Sequence, residues 1–223
     1  FVGGTGEGKT SLLQLIPRMY DPNEGQIVID DIPIEQFPLQ TLRSQIGIVP
    51  QDAFLFSDTI AENIAFGMTS SDQEEVEHAA RAANFDAEVM AFPKQYETII
   101  GERGITLSGG QKQRATIARA LGKRPSILIL DDSFSNVDTY TEEQILHALR
   151  QFRKNRTCLI VAHRISTISD ADRIFVLKEG TIVEQGTHES LLESRGFYAD
   201  LYRKQLIEEE LGIHETRRAA AGD

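Results

Sequence analysis

The octad Gly3-Gly4-Thr5-Gly6-Glu7-Gly8-Lys9-Thr10 governs how everything after it is read. It fits the pattern G-x-x-x-x-G-K-[ST], and each fixed position has a physical reason. Glycines let the main chain wrap closely, so that its N–H groups point inward at phosphate oxygens. A helix from Ser11 onward then turns its positive N-terminal end toward the same charge. The Lys9 ammonium reaches the β- and γ-phosphates, and the Thr10 hydroxyl ligates Mg²⁺. The apolar pair Phe1-Val2 in front reads as the end of a strand, most of which is expected to lie outside the sequence.

A phosphate loop needs a carboxylate on the metal, delivered at the end of a neighbouring strand. Ile127-Leu128-Ile129-Leu130-Asp131-Asp132 supplies one. An apolar strand buries its length and presents Asp131 at its carboxyl end, where ligands bind in open α/β sheets.

Around these two landmarks the pattern alternates. Helix is expected over Ser11–Met19, strands over Gln26–Asp30 and Ile46–Val49, and helices over Ala61–Phe66, Gln73–Ala83, Ala87–Phe92 and Gly109–Leu121. A strand follows at Ser126–Leu130. The next helix is expected to be capped by Thr139, with Glu142 completing a capping box and Ile145, Leu149 and Phe152 forming its apolar stripe. Strands at Thr157–Val161, Arg173–Leu177 and Thr181–Glu184 precede helices at Thr187–Ser194 and Phe197–Glu210. Strands separated by helices imply crossovers and a mostly parallel sheet. The fold class is therefore α/β, a P-loop NTPase (RecA-like) core with an inserted helical subdomain. The expected boundaries are 1–56 and 120–210 for the core, 57–119 for the insert and 211–223 for a solvated tail.

Composition narrows the partners. With 34 acidic against 23 basic residues the formal charge is -11, and the densest basic clusters are only Lys123-Arg124 and Arg153-Lys154-Asn155-Arg156. A phosphate-backbone binder needs a basic stripe, so nucleic acid is not an expected partner. The single cysteine, Cys158, excludes an intrachain disulfide and a cysteine-based zinc site; it reads as a buried strand residue. His78, His147, His188 and His214 lack ligand-like spacing and read as surface or incidental. No apolar run approaches the ~20 residues of a membrane helix.

Leu107-Ser108-Gly109-Gly110-Gln111 adds a second anion-binding helix start, with bare N–H groups, a serine hydroxyl and a helix dipole. One phosphate loop already serves one triphosphate. A second such end about a hundred residues on, inside a helical insert, suggests service to another molecule's nucleotide.

Taken together, these motifs resemble the nucleotide-binding domain of an ABC transporter of the exporter type, and the likeness covers nearly the whole chain. Leu107 to Gln111 matches the family's signature, Gly3 to Thr10 its Walker A loop and Ile127 to Asp131 its Walker B strand. Gln51, in Val49-Pro50-Gln51-Asp52, matches the Q-loop glutamine, and His163, in Val161-Ala162-His163-Arg164, the switch histidine. Ser135-Asn136-Val137-Asp138 falls where the D-loop lies, and Gly101-Glu102-Arg103-Gly104 precedes the signature as in exporters. The resemblance implies ATP and Mg²⁺ as cofactors. It implies ATP contacts from Gly3, Gly4, Thr5, Gly6, Glu7, Gly8, Lys9, Thr10 and Ser11, and metal contacts from Thr10, Gln51 and Asp131. Two such domains are expected to stack head to tail around two ATP molecules, each lying between one Walker loop and the other chain's signature. Transmembrane domains of an exporter, at the inner face of a membrane, would turn closure into transport. The apolar segment Phe54-Leu55-Phe56-Ser57-Asp58-Thr59-Ile60 is either their contact or core packing.

One departure stands out. Hydrolytically competent members carry glutamate after the Walker B aspartate, where it holds or activates the attacking water, alongside the roles of Gln51 and His163. Here the residue is Asp132. The charge is kept, but the carboxylate is withdrawn by about 1 Å, a misplacement that costs roughly a hundredfold in rate. Ser133-Phe134 and the Ser-Asn-Val-Asp D-loop are also unusual. The combination resembles the slow-site subunit of heterodimeric bacterial multidrug ABC exporters, which implies a different subunit as partner. The alternatives are a homodimer in which Asp132 works adequately, a non-transport ABC ATPase, and a regulatory module that does not hydrolyse.

Overall fold

The computed structural model describes the chain apart from residues 70–71, 102–104, 135–136 and 221–223, together with the side chains of 151, 209–210 and 212–220. In chain order the elements are β1 (Val2–Gly3), α1 (Lys9–Leu15), β2 (Val28–Ile29), β3 (Ile32–Pro33), α2 (Leu39–Ser44), β4 (Ile46–Val49), α3 (Ile60–Ala65), α4 (Gln73–Ala82), α5 (Asp86–Ala91), α6 (Gly109–Gly122), β5 (Ile127–Asp131), α7 (Thr139–Phe152), β6 (Thr157–Val161), β7 (Ile174–Lys178), β8 (Thr181–Gly186), α8 (His188–Glu193) and α9 (Phe197–Ala220). They group into a central unit, Thr10–Val161, and a terminal unit, Phe1–Lys9 with Ala162–Asp223. The division falls inside α1. No helix among the described residues is long and apolar enough to cross a membrane.

The central unit is organised by a parallel sheet in the order β4-β5-β6, with Val49 beside Leu130 and Asp131 beside Val161. Parallel neighbours need crossovers, here α3 to α6 before β5 and α7 after it. Leu128, Ile129 and Leu130 are all buried, the near-continuous apolar run of a strand covered on both faces. The helical part is packed around α6, where Ala115, Ile117 and Ala118 are buried against α3 and α4. Ile60 and Ile64 from α3 and Val76, Ala79 and Ala80 from α4 complete that core. Small side chains at the contact let helices approach closely.

Three expectations are corrected here. The first helix stops at Leu15 rather than Met19, because Ile16 precedes Pro17 and the residue before proline is driven out of the α region. The strand expected over Gln26–Asp30 shrinks to Val28–Ile29 and turns back antiparallel onto β3. Asp30 and Asp31 both have positive φ, 50° and 63°, as a two-residue hairpin turn demands. The cap of α7 is Asp138, whose carboxylate accepts from the Thr141 N–H at 3.0 Å, and not Thr139, which is the first helical residue. Cys158 lies in β6 as expected, but half-buried.

The terminal unit holds β1 parallel to β7, with Val2 beside Val176, and β7 antiparallel to β8. Glu179 and Gly180 turn that hairpin at φ 50° and 73°. Thr187 caps α8 in a reciprocal box with Ser190. Glu184 of β8 accepts from the N–H groups of Phe197 and Tyr198, at 2.6 and 3.0 Å, which fixes the start of α9. His188 is not incidental: its Nδ1 meets the hydroxyl of fully buried Tyr198 at 2.8 Å. α9 continues past Glu210 to Ala220.

Candidate functional site

The terminal unit carries the glycine-rich loop. Gly6 and Gly8 take φ of +85° and +84°, the left-handed region where an L side chain is strained. Two such residues allow the loop to curl within a few positions. The Lys9 side chain, only 6% exposed, closes the curl from inside. Its ammonium donates to the carbonyls of Gly3 at 3.0 Å and Gly4 at 2.6 Å. Those carbonyls keep the charge at the mouth of the loop, where phosphate oxygens can replace them. The Glu7 carboxylate accepts from the Glu179 N–H at the β7–β8 turn. An anion in a phosphate-binding loop is thereby held by the hairpin.

The central unit carries the residues expected at metal and water. Thr10, in the first turn of α1, donates its hydroxyl proton to Asp131 Oδ1 at 3.1 Å. Asp131 is the last residue of β5 and is 7% exposed. Asp132 follows with φ +46°, a conformation that aspartate tolerates better than most residues. Its N–H is bonded to the Val161 carbonyl at 3.0 Å. Its Oδ2 accepts from Gln51 Nε2 at 3.3 Å. Gln51 is exposed just beyond β4. Thr10, Asp131, Gln51 and Asp132 thus share one polar cluster at the carboxyl ends of β4 and β5.

That donor set suits magnesium. A hydroxyl, a carboxylate and a carboxamide oxygen are all hard oxygen ligands. The 3.1 Å between the Thr10 and Asp131 oxygens is close to the ~3 Å edge of an octahedron with bonds of about 2.1 Å. Among the described residues no three His, Cys, Asp or Glu converge into a cage of their own. Mg²⁺ held by one or two protein oxygens and a substrate's phosphates fits such a site.

Ser133 is a contributor that the sequence reading flagged only as unusual. It is fully buried, and its hydroxyl donates to the Val49 carbonyl at 3.0 Å, tying the turn after β5 to the strand that delivers Gln51. His163, in the terminal unit, is exposed. Its turn is pinned from α9: Gln205 donates to the His163 carbonyl and accepts from the Ile165 N–H at 2.9 Å. No local pattern announces Gln205, because it acts from some forty positions away. Of the D-loop, Ser135 and Asn136 lie outside the described residues, as do Glu102, Arg103 and Gly104. Val137 is buried. Asp138 caps α7, and its carboxyl is held below the usual range by the Thr141 N–H and hydroxyl.

The signature pentad starts α6. Leu107 is buried, while Ser108 and Gly109 are exposed. The cap is reciprocal: Ser108 Oγ accepts from the Gln111 N–H at 3.2 Å, and Gln111 Oε1 accepts from the Ser108 N–H at 2.9 Å. The other end of the Gln111 amide donates to Glu88 Oε2 at 2.9 Å. Arg114, one turn along α6 and 7% exposed, donates to Glu88 Oε1. Glu88, on α5, was not singled out by sequence.

The segment after Gln51 presents aromatic rings to solvent. Phe54 and Phe56 are 63% and 38% exposed, and Phe66 is 58% exposed. Their rings pack on one another, and the Arg119 guanidinium lies over Phe56 and Phe66 while donating to the Phe54 carbonyl at 2.8 Å. Ile60 of the same segment is fully buried, so its apolar residues divide between core packing and an exposed face.

Comparison with known proteins agrees with this geometry. The family model described as ABC transporter matches residues 1–135. The chain is 47% identical over 99% of its length to the multidrug resistance-like ATP-binding protein MdlA of Escherichia coli, covering 38% of that protein. It is 50% identical over 95% of its length to an ATP-dependent lipid A-core flippase of Syntrophus aciditrophicus, of which it covers 35%. The human ATP-binding cassette sub-family B member 6 is 49% identical over 94% of the chain, which spans 25% of it. A solved structure of a bacterial Atm1-family ABC exporter with ATP bound superposes at a TM-score of 0.89 with 45% identity, over 92% of this chain and 36% of that one. The chain therefore spans between a quarter and two fifths of each of these relatives.

Proposed function

The chain belongs to the ABC transporter family, whose members hydrolyse ATP, and we propose that it is the nucleotide-binding domain of an exporter at the inner face of a membrane. The observation that carries the reading is the Thr10–Asp131 hydrogen bond, which joins the end of the glycine-rich loop to the end of β5. Gly3 to Lys9 wrap and neutralise the triphosphate of ATP, and α1 adds the favourable end of its dipole. Mg²⁺, when bound, would supply positive charge against the negative charge that develops during phosphoryl transfer. Thr10, Asp131 and Gln51 are the residues that would hold it. Asp132 orients the attacking water, and the resemblance gives His163 the role of the switch histidine.

Hydrolysis at this chain's own site is slow. Asp132 is shorter than the glutamate expected at its position, and its carboxylate is engaged by Gln51. Binding survives, because Lys9, Thr10 and Asp131 keep their contacts. The pentad Leu107–Gln111 serves the nucleotide of a second, different domain, whose own site does the faster work. A boundary near residues 57 and 119 separates the helical part that brings this pentad to the partner.

The exposed rings of Phe54, Phe56 and Phe66 are the contact for the transmembrane domains. Beside them a cleft of about 360 Å³, lined by Ala53, Leu55, Ile100, Ile105 and Lys112, offers a seat for an apolar protrusion.

Magnesium-dependent ATP hydrolysis by the full-length protein, paired with a partner lacking its own catalytic carboxylate, tests both layers. Asp132→Glu is expected to raise the remaining turnover by roughly tenfold to a hundredfold. Unchanged turnover removes the slow-site reading and leaves the ATPase reading intact. No hydrolysis in any combination removes both.

A further inference from the structure

We propose that Glu88 is a positioning residue for ATP hydrolysis, acting on a neighbouring chain's nucleotide through Gln111 and Ser108. The inference deepens the reading of Leu107–Gln111 given above and rests on it. Its basis is one carboxylate that serves two donors on the same face of α6. Gln111 and Arg114 are three residues apart, so their side chains leave the helix on one side. Each takes a separate oxygen of Glu88: Gln111 Nε2 donates to Oε2 at 2.9 Å, and Arg114 Nη2 donates to Oε1. The two contacts fix the carboxylate in rotation as well as position.

The consequence reaches Ser108 through a single amide group. Gln111 has one carboxamide, and both of its ends are committed. Its nitrogen is held by Glu88, so its oxygen is aimed at the Ser108 N–H, where it accepts at 2.9 Å. Were the amide turned over, it would point a donor at a donor and an acceptor at a carboxylate. Glu88 therefore sets the sense of the Gln111 amide, and that sense closes the reciprocal cap. The cap in turn fixes the orientation of the exposed Ser108 side chain and of the first turn of α6. These are the groups that a second chain's phosphate would meet.

The support beneath Glu88 is rigid. Helix α5 is rooted by Phe85 and Val89, both fully buried, and by the Tyr96 hydroxyl, which donates to Asp86 at 2.6 Å. Arg114 is itself buried, while the Glu88 side chain is 40% exposed, so the carboxylate is anchored from its inner side. The relay therefore ties the first turn of α6 to a fixed neighbour rather than to a loop.

The test uses the full-length protein with its partner and measures steady-state ATP hydrolysis, nucleotide affinity with a fluorescent ATP analogue, and thermal melting. Glu88→Gln is the primary variant, because it keeps the shape and can accept at only one of the two positions; Glu88→Ala leaves the Arg114 charge buried and is the harsher second variant. Glu88→Ala is expected to lower maximal turnover roughly tenfold and Glu88→Gln to lower it less, both with nucleotide affinity unchanged. In a Gln111→Ala background the Glu88 substitutions are expected to cost little more, since the relay is already cut. A wild-type turnover in both Glu88 variants overturns the proposal, as does a loss that is fully additive with Gln111→Ala. A fall in nucleotide affinity in step with melting temperature also overturns it, because general destabilisation then suffices. Ser108→Arg separates this failure from that of the underlying reading: if a bulky side chain there leaves turnover intact, the pentad does not meet a nucleotide at all.

Discussion

Helix α1 begins at Lys9 after a loop bent by two glycines of positive φ, and no acidic residue occupies its first turn. Helix α6 begins after Ser108 with a reciprocal side-chain cap and a carboxylate relay behind it. The two starts are made of different material. The first is seven residues long, half the length of the second. It is shaped by backbone conformation and a buried ammonium. The second is shaped by side chains on a helix whose inner faces are buried. The difference matches the two tasks proposed for them. A loop that must wrap a triphosphate needs a main chain free of Cβ atoms and a cation within reach. A surface that must meet a nucleotide carried by another chain needs to hold its shape before the partner arrives.

The comparison breaks most completely at Lys9. Lys9→Ala removes the ammonium that holds Gly3 and Gly4 and that phosphates would claim. Two charge-assisted hydrogen bonds at about 1.5–3 kcal/mol each amount to roughly a hundredfold or more in affinity. Titration with a fluorescent ATP analogue is expected to show that loss. Hydrogen exchange at the Gln111 amide should stay unchanged, because the cap of α6 owes nothing to Lys9. A parallel change at both helix starts contradicts their separate construction.

A pair of glycine substitutions sharpens the same contrast at lower amplitude. Gly8→Ala forces a side chain into φ +84° and strains the loop by about 1–2 kcal/mol, which corresponds to roughly tenfold weaker nucleotide binding. Gly109→Ala sits in the first turn of α6, where alanine favours the helix by up to about 1 kcal/mol. Chemical denaturation is expected to show the second protein equal to or above wild type in stability. Nucleotide titration should find its own-site affinity unaltered. If Gly8→Ala binds as well as wild type, the loop is not built on backbone conformation.

Much of this was readable from the residues because it is local. The octad, the apolar strand ending in Asp131 and the pentad each carry their meaning within a few positions, and β4 and β6 fall where the apolar runs place them. What escaped is what the fold brings together from afar. Glu88 meets Gln111 across 23 positions and Gln205 meets His163 across 42. No periodicity signals such a contact. The antiparallel pairing of β2 with β3 escaped for a different reason: two strands of two residues give too little alternation to register. The helix end at Leu15 has a local sign in Pro17, but apolar residues continue at helical spacing to Met19 and mask it.

The smallest expected effect concerns α7, a third helix start, which follows the other two in sequence. Thr139 followed by Glu142 has the spacing of a capping box, and Asp138 has a better side chain one position earlier. The two choices compete for the same orphan N–H groups. Asp138 wins because it is the last residue with extended backbone, φ -66° and ψ 153°, and because its carboxylate also lies at the positive end of the helix dipole. Thr139 is already helical, so its hydroxyl cannot reach back over the first turn. Glu142 is buried. The carboxyl of Asp138 is held below its usual range by the Thr141 N–H, then by its hydroxyl. Its contribution is therefore present above the unfolded-state pKa and is lost as pH falls through the folded one. Asp138→Ala is expected to lower the melting temperature at neutral pH more than Thr139→Ala, with the gap closing in acid. Thr139→Ala as the more damaging of the two would restore the capping box to Thr139 and move the start of α7 by one residue.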